Sequence, residues 1–172
     1  MNKDDFVWVA FYTEFAEKLL PYANNRTALI EKIKAVYAAI SMPLPKLEKD
    51  NQLVDIDPFT IFGLFNKGIT DAAEFSVQAP VPHSFRGVPV LNNQKATFYY
   101  FLGERKEGDI DTLWKVFVSA MEYAQSHAPD SKAALVKAYD AAILQKGVKW
   151  NLTMGLYWIC PYEYINLDSR SR

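Results

Sequence analysis

The sequence holds a single cysteine, Cys160, among 172 residues. One thiol excludes an internal disulfide framework and a cysteine-rich zinc site, and makes a reducing, cytoplasmic setting the default. No apolar run approaches the ~18 residues of a membrane-spanning helix. The acidic start, Met1 to Asp5, leads straight into an amphipathic pattern and does not read as a signal peptide. Charge of one sign is also scarce: 19 basic and 20 acidic side chains leave a formal net charge of -1. That balance argues against a free-standing, strongly basic nucleic-acid binder, though not against a weak binder displayed in several copies. No Gly-Lys-Ser/Thr follows Gly63 or Gly68, and no Gly-x-Gly-x-x-Gly is present, so nucleotide hydrolysis is expected elsewhere. Repeats and low-complexity tracts are missing too.

What is abundant is apolar and aromatic side chain, 50% and 15% of the residues. Such a chain buries a core and is not disordered. Its length suits one domain, residues 1–172. Apolar steps of three and four predict a helix along Phe6, Val9, Thr13, Ala16 and Leu20, capped by Asp4 or Asp5 and ended by Pro21. A second helix is predicted from Thr27 to Ile40, and the short turn between them predicts an antiparallel pair. Asp57-Pro58 is a strong helix start: a carboxylate cap precedes proline at a position that needs no donor. Gly68 would close that helix and Thr70 would cap another. Further helices are expected from Asp109, after Pro129-Asp130, and from about Trp150 to Ile159. Val88 to Leu91 reads as a short edge strand, and Ala96 to Leu102 as either strand or buried turn. The expected class is mainly α, a compact helical domain with at most a small β element; α+β is the alternative.

Catalytic patterns are thin. His83 and His127 fall in expected surface loops, and Cys160 ends an apolar helix, where an inert thiol is usual. Asp55 and Asp57 before Glu104-Arg105-Lys106 fit a loose Asp…Glu-x-Lys order for a metal nuclease, but helix capping accounts for Asp57. The Phe59–Phe65 helix and the segment after Thr70 fit a helix-turn-helix poorly, because the first is too apolar and the second begins acidic. No catalytic residue, metal ligand or cofactor is therefore expected in this chain.

Amides, cations and rings are more suggestive. Arg86, Asn92, Asn93, Gln94 and Lys95 cluster with Tyr99 and Tyr100. Lys146, Lys149, Trp150 and Asn151 precede Tyr157, Trp158, Tyr162, Tyr164 and Arg170. Residues 130–172 carry a net +2, against -3 for residues 1–78. Cations hold phosphates, amides read base edges and rings stack on unpaired bases. The candidate DNA-binding set is Arg86, Asn92, Asn93, Lys95, Lys146, Lys149 and Arg170, with Tyr99, Trp150, Tyr157 and Trp158 as stacking rings. Burial of the rings in the core is the competing reading.

The motif order Asp57-Pro58-Phe59-Thr60-Ile61-Phe62-Gly63-Leu64-Phe65, Gly87-Val88-Pro89-Val90-Leu91-Asn92-Asn93, Lys149-Trp150-Asn151-Leu152-Thr153-Met154-Gly155 and Tyr164-Ile165-Asn166-Leu167-Asp168 resembles the N-terminal region of McrB-like AAA+ proteins of modification-dependent restriction systems. The resemblance spans nearly the whole chain. It implies a noncatalytic DNA-recognition domain that reads a modified base, attached to a GTP- or ATP-hydrolysing ring that recruits a nuclease subunit. Asp168 resembles the cap of a further helix, so the chain is expected to be the N-terminal part of a longer protein. The implied partners are DNA, in some cases methylated, the ring and the nuclease, with no membrane. The alternative is a protein-interaction or scaffold domain of the same assembly; a small metal-dependent nuclease stands third.

Overall fold

Asp57 and Pro58 set the centre of the molecule. Asp57 Oδ1 accepts from the amides of Phe59 (2.8 Å) and Thr60 (3.1 Å), and Pro58 opens helix α3, Pro58–Phe65. Seven of its eight residues are buried, as an apolar helix with no solvent face must be. The computed structural model describes residues 6–66, 75–90 and 97–167. Around α3 lie α1 (Val9–Leu19), α2 (Arg26–Ala39), α4 (Asp109–Ser126), α5 (Pro129–Ile143) and α6 (Asn151–Ile159). No strand occurs among the described residues, so the fold is mainly α. None of the described helices is long and apolar enough to cross a membrane.

The expected helices that fall within the described residues are present, with two corrections. The buried face of α1 is Phe11, Tyr12, Phe15, Ala16 and Leu19. Of the expected stripe only Ala16 belongs to it, because the large rings at positions 11, 12 and 15 claim the core. Nor do α1 and α2 form the expected antiparallel pair. A 3-10 turn, Leu20–Asn24, lies between them, with Pro21 inside it; α2 packs against that turn, while α1 packs against both the turn and α6. The extensive helix pair is α4 with α5. Their connection turns at His127, held in the left-handed region at φ 50°.

The segments 88–90 and 97–102 are neither strand nor helix. Side chains satisfy their backbone instead. Thr60 Oγ1 accepts from Phe98 N (2.9 Å), Thr97 Oγ1 donates to Tyr99 O (2.6 Å), and Glu48 Oε1 accepts from Leu102 N (2.7 Å). Trp158 Nε1 donates to Pro89 O (2.9 Å), anchoring the proline-rich loop to α6. The Gly68 and Thr70 turns, and the Asp4, Asp5 and Asp168 caps, lie outside the described residues.

Candidate nucleic-acid interface

The connection from α5 to α6 is short and tightly wound. Gly147 (φ 82°) and Lys149 (φ 40°) both adopt left-handed backbone. Gln145 N donates to Ala142 O, Val148 N to Gln145 O and Asn151 N to Val148 O. Asn151 Nδ2 reaches back to Gly147 O (3.2 Å), and Gln145 Nε2 ties the turn to Asp109 O at the start of α4 (2.9 Å). Val148 is wholly buried and works as the plug of the turn. With alternate residues fixed inward, Lys146, Lys149 and Trp150 stay outside.

Each lysine lies over a ring. Lys146 Nζ is 4.6 Å from the centroid of Tyr100, and Lys149 Nζ is 5.8 Å from that of Trp150. Both distances fit cation–π contact. Among the described residues neither ammonium pairs with a carboxylate. Trp150 is 48% exposed. Tyr100 is fixed from below, since its carbonyl accepts from Arg105 Nη1 (3.0 Å).

The predicted residues divide into four groups. Lys146, Lys149 and Trp150 all lie on the turn that precedes α6. Tyr157 lies toward its other end, where it lines a cleft of about 470 Å³ with Val88, Pro89, Tyr164 and Asn166. The exposed Arg86 immediately precedes Gly87, which also borders that cleft. A nine-residue helix separates the two ends by ~13 Å. Burial, and then the neighbouring Tyr162, raises the Tyr157 phenol above its ordinary pKa. Asn92, Asn93, Lys95 and Arg170 lie outside the described residues.

Two rings must be corrected. Tyr99 and Trp158 are 1% and 0% exposed. Tyr99 donates its hydroxyl to Leu47 O (2.9 Å), and Trp158 packs against Phe62 and Phe98. Rings so enclosed cannot receive a base without opening the core. Tyr100, next to Tyr99, is the ring that meets a lysine.

The competing chemistries find little geometry. Asp57 is buried as a helix cap, its carboxyl pushed up to about 6 by burial against the opposing pull of its hydrogen bonds. Arg105 is held by buried Glu48 at 2.6 Å, so the Glu104-Arg105-Lys106 turn is fastened by its middle residue. Among the described residues no three His, Cys, Asp or Glu side chains are grouped to hold a metal ion. Burial, then Glu163 and Glu17, pushes the Cys160 thiol up to about 11, which keeps it protonated near neutrality. Arg26 bridges Asp55 (2.9 Å) and Asp111 (2.5 Å) and lies over Trp114, fastening α2 to α4.

A family model described as "Domain of unknown function (DUF8425)" matches residues 8–172. No match is found among curated proteins or solved structures.

Proposed function

We propose that this chain, which belongs to the DUF8425 family, is a noncatalytic DNA-recognition domain, the targeting module of a McrB-like restriction assembly. The observation that carries this reading is the corner built from Lys146, Lys149, Tyr100 and Trp150. Two cations without carboxylate partners among the described residues stand on a turn held by five hydrogen bonds, each over a ring. Ammonium groups neutralise phosphates and release counterions, which gives affinity independent of sequence. The fixed turn lowers the ordering cost of binding.

A net charge of -1 makes the isolated domain a weak binder. Several copies on an AAA+ ring would multiply that modest affinity through effective concentration. Discrimination of a modified base, and recruitment of a nuclease subunit through the ring, belong to the same proposal.

The test is an electrophoretic mobility shift at low salt with methylated and unmethylated DNA, using the chain alone and an artificially multimerised form. Retardation that weakens in K146E/K149E supports the reading. Failure of the multimerised form to retard any of the DNAs sinks it.

A second reading, a protein-interaction domain of the same assembly, has its own support. Tyr162, Ile165 and Leu167 are 80%, 77% and 48% exposed along one short segment. Exposed apolar side chains in a group mark contact surfaces. Co-purification with the ring that is lost in Y162S/I165S, with DNA binding absent, would favour it.

A further inference from the structure

We infer that the α5–α6 corner takes single-stranded DNA, with a base stacked on Trp150 and the flanking phosphates on Lys149 and Lys146. This rests on the DNA-binding reading above and narrows it to unpaired strand.

The first argument is the pairing of chemistries. Single strands present base faces and phosphates in alternation. They are held by sites that combine cations for the backbone with rings on which bases stack. Along the corner the order is Lys146, Lys149, Trp150, with Tyr100 brought beneath Lys146. Trp150 keeps 48% of its surface in solvent. The contact between Lys149 and Trp150 is an exposed cation–π pair, worth only ~0.5–1 kcal/mol. A phosphate can therefore draw the ammonium off the indole while a base takes its place on the ring.

The second argument is what the helices do not offer to a duplex. Groove reading needs a helix or ribbon with cations along one face. The exposed charges of α5 are Asp130, Lys132, Lys137 and Asp140; those of α4 include Asp111, Lys115 and Glu122. Both surfaces mix the two signs, and Asp111 is tied to Arg26. Lys146 and Lys149, which pair with no carboxylate among the described residues, sit on a turn that is too short to fill a groove.

The experiment uses the protein's own indoles. Of four tryptophans, Trp8, Trp114 and Trp158 are 0%, 2% and 0% exposed, so quenching by a bound base reports on Trp150. The full chain, alone and in the multimerised form, is titrated at low salt with a thymidine oligodeoxynucleotide, with a duplex of equal length, and with a ribo-oligonucleotide of matching sequence. Anisotropy of labelled strands is followed in parallel. The expected result is quenching by the single DNA strand and an affinity about tenfold above the duplex. Trp150→Ala should lose about that factor, while Trp150→Phe keeps most of the anisotropy signal. For two phosphate contacts the slope of log K against log salt is about -1.4 on a single strand, and Lys146→Gln/Lys149→Gln should flatten it. Equal or tighter binding of duplex, with Trp150→Ala unchanged, overturns the inference and leaves the DNA-binding reading standing. Preference for the ribo-oligonucleotide overturns the choice of DNA. Binding of none of the three by the multimerised chain removes both.

Discussion

Gly155 on α6 faces the ring of Phe59 on α3 so closely that a Cβ at residue 155 would stand 2.5 Å from Phe59 Cδ1 and 2.9 Å from Cγ. The ring is fully buried and has Phe98 and Phe117 as further neighbours, so it has little freedom to retreat. Absence of a side chain at one residue thus lets the helix that follows Trp150 sit directly on the central helix.

Gly155→Ala should destabilise the fold by about 1–3 kcal/mol, the usual cost of overpacking a core. Gly63, inside α3, would place its Cβ in open space. Gly63→Ala should therefore stabilise by about 0.5–1 kcal/mol, through lower backbone entropy in the unfolded chain. Urea unfolding of the two variants decides it; the same sign for both would refute the packing argument.

Asp57 makes stability depend on pH in the less familiar direction. Its folded carboxyl is pushed up to about 6 from 3.8. The folded state therefore holds the proton more tightly than the unfolded chain. The associated stability is complete below about pH 4 and is lost as pH rises through 6, up to about 3 kcal/mol in all. Asp57→Asn removes the titration, so the stability of wild type relative to this variant should fall across pH 4–6 and then level. Asp57→Ala leaves two buried amides without their cap and should cost about 1–2 kcal/mol or more at every pH. Urea midpoints measured at steps between pH 4 and 8 would show a flat difference if the assignment is wrong.

Glu48 works in the opposite sense. Burial pushes its carboxyl up, but the amide of Leu102, the Arg105 guanidinium and the amide of Lys49 together hold it below the ordinary 4.5. Its contribution is present above that ordinary value and lost as pH falls through the lower folded one. Arg105→Met strands a fully buried carboxylate and should cost about 3–5 kcal/mol near neutrality. Glu48→Gln/Arg105→Met together should cost less than Arg105→Met alone. Thermal unfolding of the four forms checks this, and simple additivity would show that the pair is not coupled.

The Cys160 thiol, raised to about 11, should react slowly with a thiol reagent at pH 8 and rapidly once urea unfolds the chain. Native reactivity equal to that of the unfolded protein would mean the thiol is not enclosed.

The helices were legible where local chemistry and periodicity agreed. Asp57-Pro58 states its own cap and first turn, and of the α2 stripe Leu29, Ile30, Ile33, Val36, Tyr37 and Ile40 all but the half-buried terminal Ile40 are buried as the spacing implies. Trp150 and its two lysines were recognisable because cations and a ring fall within five residues of one turn. Tyr99 and Tyr100 were not separable. They lie in irregular backbone, where no period assigns faces, and only the Tyr99 bond to Leu47 O, 52 residues distant, fixes which ring turns inward. The Glu48–Arg105 clasp spans 57 residues and leaves no local trace. The face of α1 was misplaced because spacing alone did not weigh ring size.

Helix α5 is borne almost entirely by α4, and only Leu135, Ala138 and Ala142 of its fifteen residues are buried. An element moored along one side opens at lower free energy than the whole domain. Its amide hydrogens would trade with deuterium ahead of those in α3. The turn bearing Lys146 and Trp150 follows this helix but is tied to α4 through Gln145 and plugged by Val148, so it should stay shut when the outer face of α5 frays.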